Sequence, residues 1–458
     1  MNQTSLPAAM ERPSRVRYSI LGMLCFLAMI TYLDRAMIGS AKDDIMASVG
    51  RPGADFFYLL TAFQIAYALF EVPTGWMGDR FGPRSTLLRI VLWWSFCIAL
   101  TAFAGMTIPG LDTMLIGFTV LVLIQFLFGV GEAGAFPNIT RALYNWFPST
   151  QRGSAQGTIW LSARFMGGLT PMIWVLLTIY AGLNWRQALW LFAGVAAVWC
   201  LAFYVWFRNL PEEHPAVNAA EREMINAGRT SHGGHDGIPW GKIFRSRNLW
   251  YLCAMYMVTN FCWYFMMYFL PGVMKEQFKG MGTTNDGKLL VAFIAGTPML
   301  VGMLGCILGG VLTDRYVRKT GDRKWGRRIY AMIGYGMAGV SYLLATVFIG
   351  NFWAFAVCLM MMGFFNDLIM ASAWATCQDV GRRYAAIVSG CMNMIGNLGG
   401  ALTNFITGSV FKYYGEDQAT AISIMFTVYA AVYGVGVLLW LKIDASKPIV
   451  ADEPAHTE

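Results

Sequence analysis

Six charged side chains stand where bilayer physics disfavours them. Asp34 and Arg35 sit side by side in FLAMITYLDRAMIGSA, Glu71 in YALFEVPTG, Glu132 in GVGEAGAFP, Arg164 in IWLSARFMGGLTP and Asp367 in FFNDLIM. Each costs about 2.5 to 3.5 kcal/mol at the centre of a membrane helix, so each needs a cavity or a partner and is a functional candidate. Two chemistries are available to such a set. A guanidinium offers a planar fork of donors that stays charged and matches a carboxylate. A carboxyl group shielded from water and placed in a cavity suits reversible proton binding.

Adjacent residues on a helix diverge by about 100°, so Asp34 and Arg35 cannot both point at one ligand. One faces a central cavity and the other a neighbouring helix; the alternative is a private Asp34 to Arg35 ion pair. Glu132 is surrounded by Gly129, Gly131 and Gly134, which allow close packing or access for ligand and water. It is read as a proton-coupling group, the alternative being a static partner for an arginine. Trp160, Arg164, Gly168 and Pro171 are spaced to share one helix face and make an aromatic and cationic strip. Asp367 is left open between a polyol contact, a second protonation site and burial against Asn366 or Asn393.

Neutral polar and aromatic residues in the same apolar stretches supply the remaining candidates: Gln64, Tyr67, Gln125, Asn260, Tyr264, Ser372, Trp374, Asn393 and Asn397. For any one of the aromatics, ordinary packing is as good an explanation as ligand contact. No histidine is available within the apolar stretches, because His214, His232 and His235 lie in the central polar segment and His456 in the tail. No metal site is expected. The nine cysteines fall in or at the ends of apolar runs without paired spacing and read as small hydrophobes.

The elements that must position these groups follow from composition. The chain has 458 residues, 57% hydrophobic and only 13% charged, with a mean hydropathy of +0.49. That describes a polytopic membrane protein. Twelve apolar runs have the roughly 20-residue length of a crossing, at approximately 18–40, 56–77, 86–106, 114–139, 153–180, 187–207, 248–271, 289–312, 329–349, 352–376, 385–411 and 419–441. An all-α fold of twelve transmembrane helices in two six-helix bundles is expected: residues 1–207 form the first, 208–247 a solvated cytoplasmic linker with a short surface helix near AAEREMINAG, and 248–458 the second. Lys and Arg gather in the loops of one side, which places both termini in the cytoplasm. The net charge of +8 is explained by that bias and calls for no nucleic acid.

The loop after the second run reads GWMGDRFGPR (75–84) and the loop after the eighth GVLTDRYVRK (310–319). Gly75, Asp79 and Arg80 thus recur as Gly310, Asp314 and Arg315, the signature of duplicated halves around a midplane site. The glycine would let two helices approach, and either aspartate would pair with a facing helix end or with an arginine of the next loop. Glu71, two turns before Asp79, is assigned to the same inner gate.

In this repeat the chain resembles the major facilitator superfamily. LDR (33–35), FGVGEAGAFPNITRALYNWFP (128–148), WRQALWLFAG (185–194), RNLPEEHPAVNAAE (208–221), WATCQDV (374–380) and NMIGNLGGALTN (393–404) narrow it to the anion:cation symporter family, which includes bacterial permeases for galactonate, glucarate, hexuronates, tartrate and phthalate, and the sialin-type carriers. The resemblance implies a substrate-facing Arg35, a protonatable Asp34, a coupling role for Glu132, and substrate-lining Tyr67, Ser372, Trp374 and Asn393. One departure matters. Many relatives carry arginine in the fourth span where this chain has Gln125, and glutamine in the fifth where it has Arg164.

The expected function is therefore uptake of a small organic anion, most simply a sugar acid, by proton-coupled alternating access, with protons as the only coupling species and no cofactor. A monomer in a bacterial inner membrane is expected. An uncoupled facilitator or exporter is the rival within transport. A membrane enzyme or transporter-like sensor is the rival outside it, and HExxH, GxSxG and Walker patterns are absent from the sequence.

Overall fold

A computed structural model describes residues 12–107, 115–148, 151–226, 240–381, 385–415 and 417–449. The long helices are α1 (Val16–Ser40), α2 (Phe56–Phe81), α3 (Pro83–Thr101), α4 (Phe118–Glu132, continued by Ala135–Trp146), α5 (Arg152–Val175, ending in the π turn Leu176–Tyr180), α6 (Trp185–Trp206), α7 (Arg247–Tyr268), α8 (Asn285–Thr320), α9 (Arg323–Val347), α10 (Phe352–Gly381), α11 (Ala385–Tyr414) and α12 (Gln418–Trp440). Helix α7 continues, after a bend of 50°, as Leu270–Gln277. Ten of these are apolar enough to cross a membrane alone, and the bent α7 pair makes an eleventh. Helix α11 is the twelfth. Asn393, Asn397 and Asn404 dilute its hydropathy, and it is sheltered between α2 and α7, with Asn397 and Asn404 buried. Leu201, Val205, Leu304, Val311 and Val347 face outward, as lipid contact requires.

The repeated motif lies on helix rather than in loop. Gly75, Asp79 and Arg80 occupy the last turns of α2, and Gly310, Asp314 and Arg315 those of α8. The turns themselves shrink to Gly82 at φ +82° and Gly321 at φ +72°, a backbone region that glycine enters without steric cost. Helix α8, 36 residues long, therefore runs well past the hydrocarbon thickness. The motif glycines do not make the tightest approach either. A Cβ on Gly75 would meet Pro137 of α4 at 3.5 Å and one on Gly310 would meet Ala371 of α10 at 3.8 Å, both ordinary contacts. The positions that admit no side chain are Gly78, where a Cβ would fall 1.7 Å from Asn138 Oδ1, and Gly309, where it would fall 2.5 Å from the Leu368 carbonyl.

Asp314 accepts from Arg327 Nη1 (3.1 Å), whose Nε donates to Asp379 (3.0 Å), the expected pairing with an arginine just beyond the turn. Arg315 is exposed, and Arg80 is exposed over the rings of Trp76 and Phe81. The side chain of Asp79 lies outside the described residues.

The segment between α6 and α7 departs from a solvated linker. Its short helix Ala219–Asn226 carries Glu221, fully buried, against the start of α1. The Glu221 carboxylate accepts from Ser14 Oγ (2.5 Å), the Val16 and Arg17 backbone N–H groups (3.2 and 3.3 Å) and Arg17 Nη1 (2.7 Å). Those N–H groups belong to the first turn of α1, which has no intrahelical acceptor for them. Glu221 is thus a cap supplied from two hundred residues away. The glycine-rich stretch TSHGGHDG, with His232 and His235, lies outside the described residues, as does His456.

Candidate functional site

Tyr32 and Arg35 are one turn apart on α1 and share its inner face. The Arg35 guanidinium sits over the Tyr67 ring of α2, 4.5 Å from its centroid, with Phe63 at 5.5 Å and Tyr32 at 5.8 Å. Its Nε donates to Glu132 Oε1 at 2.7 Å. Both side chains are nearly inaccessible to solvent, yet Arg35 Nη2 and Glu132 Oε2 have no hydrogen-bond partner among the described residues.

Asp34, as its helical phase requires, turns the other way. It is buried beside the Trp94 indole of α3 and next to the like charge of Glu132, with neither oxygen in a well-formed hydrogen bond. The private Asp34 to Arg35 pair does not form; Arg35 reaches across to α4 instead. Two carboxyl groups and one guanidinium share this cluster. When all are ionised it carries one net negative charge, and a single proton cancels it.

Glu132 is the last residue of the first segment of α4. Pro137, which has no N–H for the Ala133 carbonyl and whose ring crowds it, accounts for the interruption. Just beyond the break, the Asn138 side chain ties α4 to α2 by donating to the Gly134 and Thr74 carbonyls (2.8 and 3.2 Å). The glycines flanking Glu132 serve packing rather than access. A Cβ on Gly129 would fall 2.3 Å from the Phe63 carbonyl of α2, one on Gly131 2.4 Å from Trp93 of α3, and one on Gly134 2.5 Å from Ile90.

On the other side of Tyr32 lies the second guanidinium. Arg164 of α5 is 5.8 Å from the Tyr32 ring centroid and 4.4 Å from that of Trp263 on α7. It forks onto Asp367 of α10, Nε to Oδ2 at 3.1 Å and Nη2 to Oδ1 at 3.2 Å. Asn366 Nδ2 also donates to Asp367 Oδ1 (3.0 Å), and Tyr433 holds Asn366 in turn (2.8 Å). Gly302 leaves the space: a Cβ there would stand 2.6 Å from Asp367 Oδ2. Asp367, left open by the sequence, is thereby placed as the partner of Arg164. Arg164 Nη1 has no partner among the described residues.

A third polar group links α2, α7 and α11. Glu71 is buried and accepts from Asn393 Nδ2 and, at 3.2 Å, from Asn397 Nδ2. Asn397 Oδ1 accepts from Gln64 (2.8 Å) and Tyr264 (2.8 Å). The Glu71 carboxylate, assigned from the sequence to the inner gate, turns to the asparagines of α11 in the opposite half. The sequence signal was available, since Asn393 and Asn397 are one turn apart and present two amides to one acceptor.

The other candidates divide. Trp160 stacks on Phe136 (4.6 Å between centroids, 5° between planes) and lies 5.9 Å from Trp374, which meets Tyr256 edge-on at 6.2 Å. Asn260 lies against Gly396 of α11. Ser372 is fully buried and bonded to Thr313 of α8 (3.3 Å), away from both arginines. Gln125 is buried and donates to Thr101 of α3 (3.3 Å), whereas Arg164 is met by α1, α7 and α10. The described contacts of the two positions share no residue. Trp263, and Tyr268 with a buried hydroxyl that has no partner among the described residues, carry no signal in the sequence because the run WYFMMY reads as plain core.

The first six and last six helices also meet at the end remote from the chain termini. At that remote end Lys275 pairs with Asp43 (2.9 Å), Lys412 with Asp55 (2.6 Å) and Tyr180 with Asp286 (2.6 Å). Backbones meet at Gly168 and Gly296, where a Cβ on the second would fall 1.6 Å from the carbonyl of the first.

Two helical sets closing on buried arginines and carboxylates are the architecture of a membrane transporter rather than an enzyme. Residues 24–404 match the Major Facilitator Superfamily, and the chain belongs to that family. It is 32% identical over 444 residues to a probable sulfoacetate transporter of Cupriavidus necator, covering 95% of each chain. It is 26% identical to a probable galactarate/D-glucarate transporter of Escherichia coli K12, covering 96% of this chain and 98% of that one. The D-galactonate transporter of an E. coli O6:H1 strain is also 26% identical, with 90% and 94% covered. Among solved structures, the fold is similar to a bacterial homologue of the human lysosomal transporter Spinster, with a TM-score of 0.69, 15% identity and 94% and 99% coverage.

Proposed function

We propose that this protein takes up a small organic acid, of the sugar-acid or sulfonate class, in symport with protons. The observation that carries the reading is the buried Arg35 to Glu132 pair at the break in α4, with one donor of Arg35 unpartnered and Asp34 alongside. A proton on Glu132 removes the negative charge that holds Arg35 Nε. With a second proton on Asp34, the guanidinium is the only charge left in the cluster; it is then free to take the substrate carboxylate, and the loaded cluster is neutral while the cavity closes. Deprotonation on the other side restores the pair and expels the anion. Tyr67, packed on the guanidinium, fixes its plane. No cofactor is needed; the coupling ion is the proton.

With both termini in the cytoplasm of a bacterial inner membrane, the remote-end contacts are extracytoplasmic. The chain is proposed to act as a monomer of two six-helix bundles, 1–207 and 248–458, joined through 208–247.

The test is uptake of radiolabelled galactonate, galactarate and sulfoacetate into proteoliposomes under an imposed pH gradient. Accumulation above the external concentration, abolished by a proton ionophore, is expected. Equilibration that stops at equal concentrations and ignores the ionophore would instead establish an uncoupled facilitator.

A further inference from the structure

The second guanidinium points to the substrate class. Resting on the transport function proposed above, we propose that Arg164 and Asp367 form a second anion subsite, and that the preferred substrate is a dianion with one acidic group for Arg35 and one for Arg164.

Three features of the geometry support this. First, the two arginines are built alike and separately. Each is at least nine-tenths buried, each is paired with a carboxylate, and each keeps one nitrogen, Arg35 Nη2 or Arg164 Nη1, without a partner among the described residues. A buried donor left unpaired costs about 1 to 3 kcal/mol, more when charged, and a ligand oxygen relieves it. One such donor calls for one acidic group; two call for two.

Second, the arginines flank a single ring. Each guanidinium carbon is 5.8 Å from the Tyr32 centroid, so the two are at most twice that distance apart. A short diacid spans this interval, because each of its acidic groups stands off its guanidinium by a hydrogen-bond length. The interval is walled by aromatic faces: Tyr32 lies edge-on to Phe136 and Trp263 at 6.1 and 6.2 Å.

Third, Asp367 has somewhere to go. Its Oδ1 is already shared between Arg164 and Asn366. When a substrate acid takes the Arg164 fork, Asp367 retains the amide that Tyr433 orients. The carboxylate therefore acts as a competitor that a second acidic group displaces and a hydroxymethyl group does not. Because Arg164 is on α5 and Asp367 on α10, this exchange happens between the two helical sets.

The experiment uses galactarate and galactonate, which differ only in a terminal carboxylate against a hydroxymethyl. Binding to the purified full-length protein is measured by titration calorimetry. The wild type is expected to bind galactarate about tenfold or more tightly than galactonate, the value of one charge-assisted contact. Arg164→Gln should collapse that ratio towards one, and Asp367→Asn should raise it by removing the competitor. Should Arg164→Gln fail to fold with Asp367 left uncompensated, the Arg164→Gln/Asp367→Asn double variant removes both charges and must show the same collapse. Sulfoacetate against acetate repeats the comparison for a shorter dianion. Equal binding of mono- and dianions by the wild type, or an equal loss of both in the Arg164 variants, overturns the second subsite and leaves the transport reading intact. If none of the four anions binds, the transport reading itself falls, and this inference with it.

Discussion

The two guanidinium–carboxylate pairs look equivalent in chemistry and differ in where they are anchored. Arg35 and Glu132 belong to α1 and α4, both among the first six helices, and meet through a single Nε to Oε1 bond of 2.7 Å. Arg164 and Asp367 belong to α5 and α10, on opposite sides of the molecule's internal division, and meet through one hydrogen bond, Nη2 to Oδ1, beside an ion-pair contact of Nε with Oδ2 at 3.1 Å. The first pair can open and close without moving one helical set against the other. The second cannot be pulled apart without changing the interface. The proposed symport calls for both behaviours, one that exchanges a proton for a substrate contact and one that reports the exchange to the opposing helices, and the two pairs differ in the way those two tasks would require.

The comparison is broken most completely at Arg35. Arg35→Gln removes the substrate cation and leaves Glu132 and Asp34 as two buried carboxyls with no counter-charge, a loss of about 3 to 5 kcal/mol for such a pair. Uptake and counterflow of every anion that the wild type carries should both fall to background, at least a hundredfold. Substantial counterflow in this variant would remove Arg35 from the site.

Glu132→Gln should separate the two functions. The amide cannot exchange a proton, yet it still offers an oxygen to Arg35 Nε. Counterflow between equal pools is expected to persist within a few-fold of wild type, while uphill uptake driven by a pH gradient disappears. Full uphill uptake by the variant would assign coupling elsewhere, with Asp34 the next group to test.

A third variant sharpens the interface side. Gly296→Ala places a methyl carbon where the Gly168 carbonyl now lies, 1.6 Å from an ideal Cβ. The α5–α8 crossing must then separate, which favours the state open at the remote end. A cysteine placed near that end should label several-fold faster in the variant. Unchanged labelling would show that this crossing does not hold the halves together.

How much of this was legible beforehand depends on the reach of the interaction. The spans were legible, because hydropathy is a property of consecutive residues; only α11 blurs, through asparagines that the fold shelters. The divergence of Asp34 from Arg35 was legible from helical phase alone. The partners were not. Arg35 meets Glu132 across 97 positions and Arg164 meets Asp367 across 203, and no local periodicity encodes such a pairing. Glu71 meets Asn393 across 322 positions, a partner that its closeness in sequence to Asp79 does not announce. The glycines around Glu132 are ambiguous in sequence between access and packing, and only the α2 backbone at Phe63 and the Trp93 and Ile90 side chains of α3 against them decide for packing. Glu221 was invisible as a cap because the donors it accepts from belong to a helix at the opposite end of the half.

The smallest expected effect lies outside the membrane, at the linker, and it keeps the comparison clean by separating two sources of pH dependence. His214 is buried beneath Trp146 and Trp206 (5.7 and 4.9 Å between ring centroids), and its Nδ1 accepts from the Ala216 N–H (3.2 Å). Burial, and then the Arg208 charge, hold its imidazole below the usual histidine range. The undocked segment binds a proton near pH 6.5 whereas the docked one resists it. Docking is therefore at full strength above that pH and weakens as pH falls through it towards the docked value. Hydrogen exchange of residues 208–226 should accelerate modestly, by a few-fold, between pH 7.5 and 5.5. His214→Gln should flatten that response while leaving uphill uptake and its ionophore sensitivity unaltered, because neither arginine pair contacts the linker. A change in coupling in this variant would mean that the linker, as well as Glu132, senses the proton that drives transport.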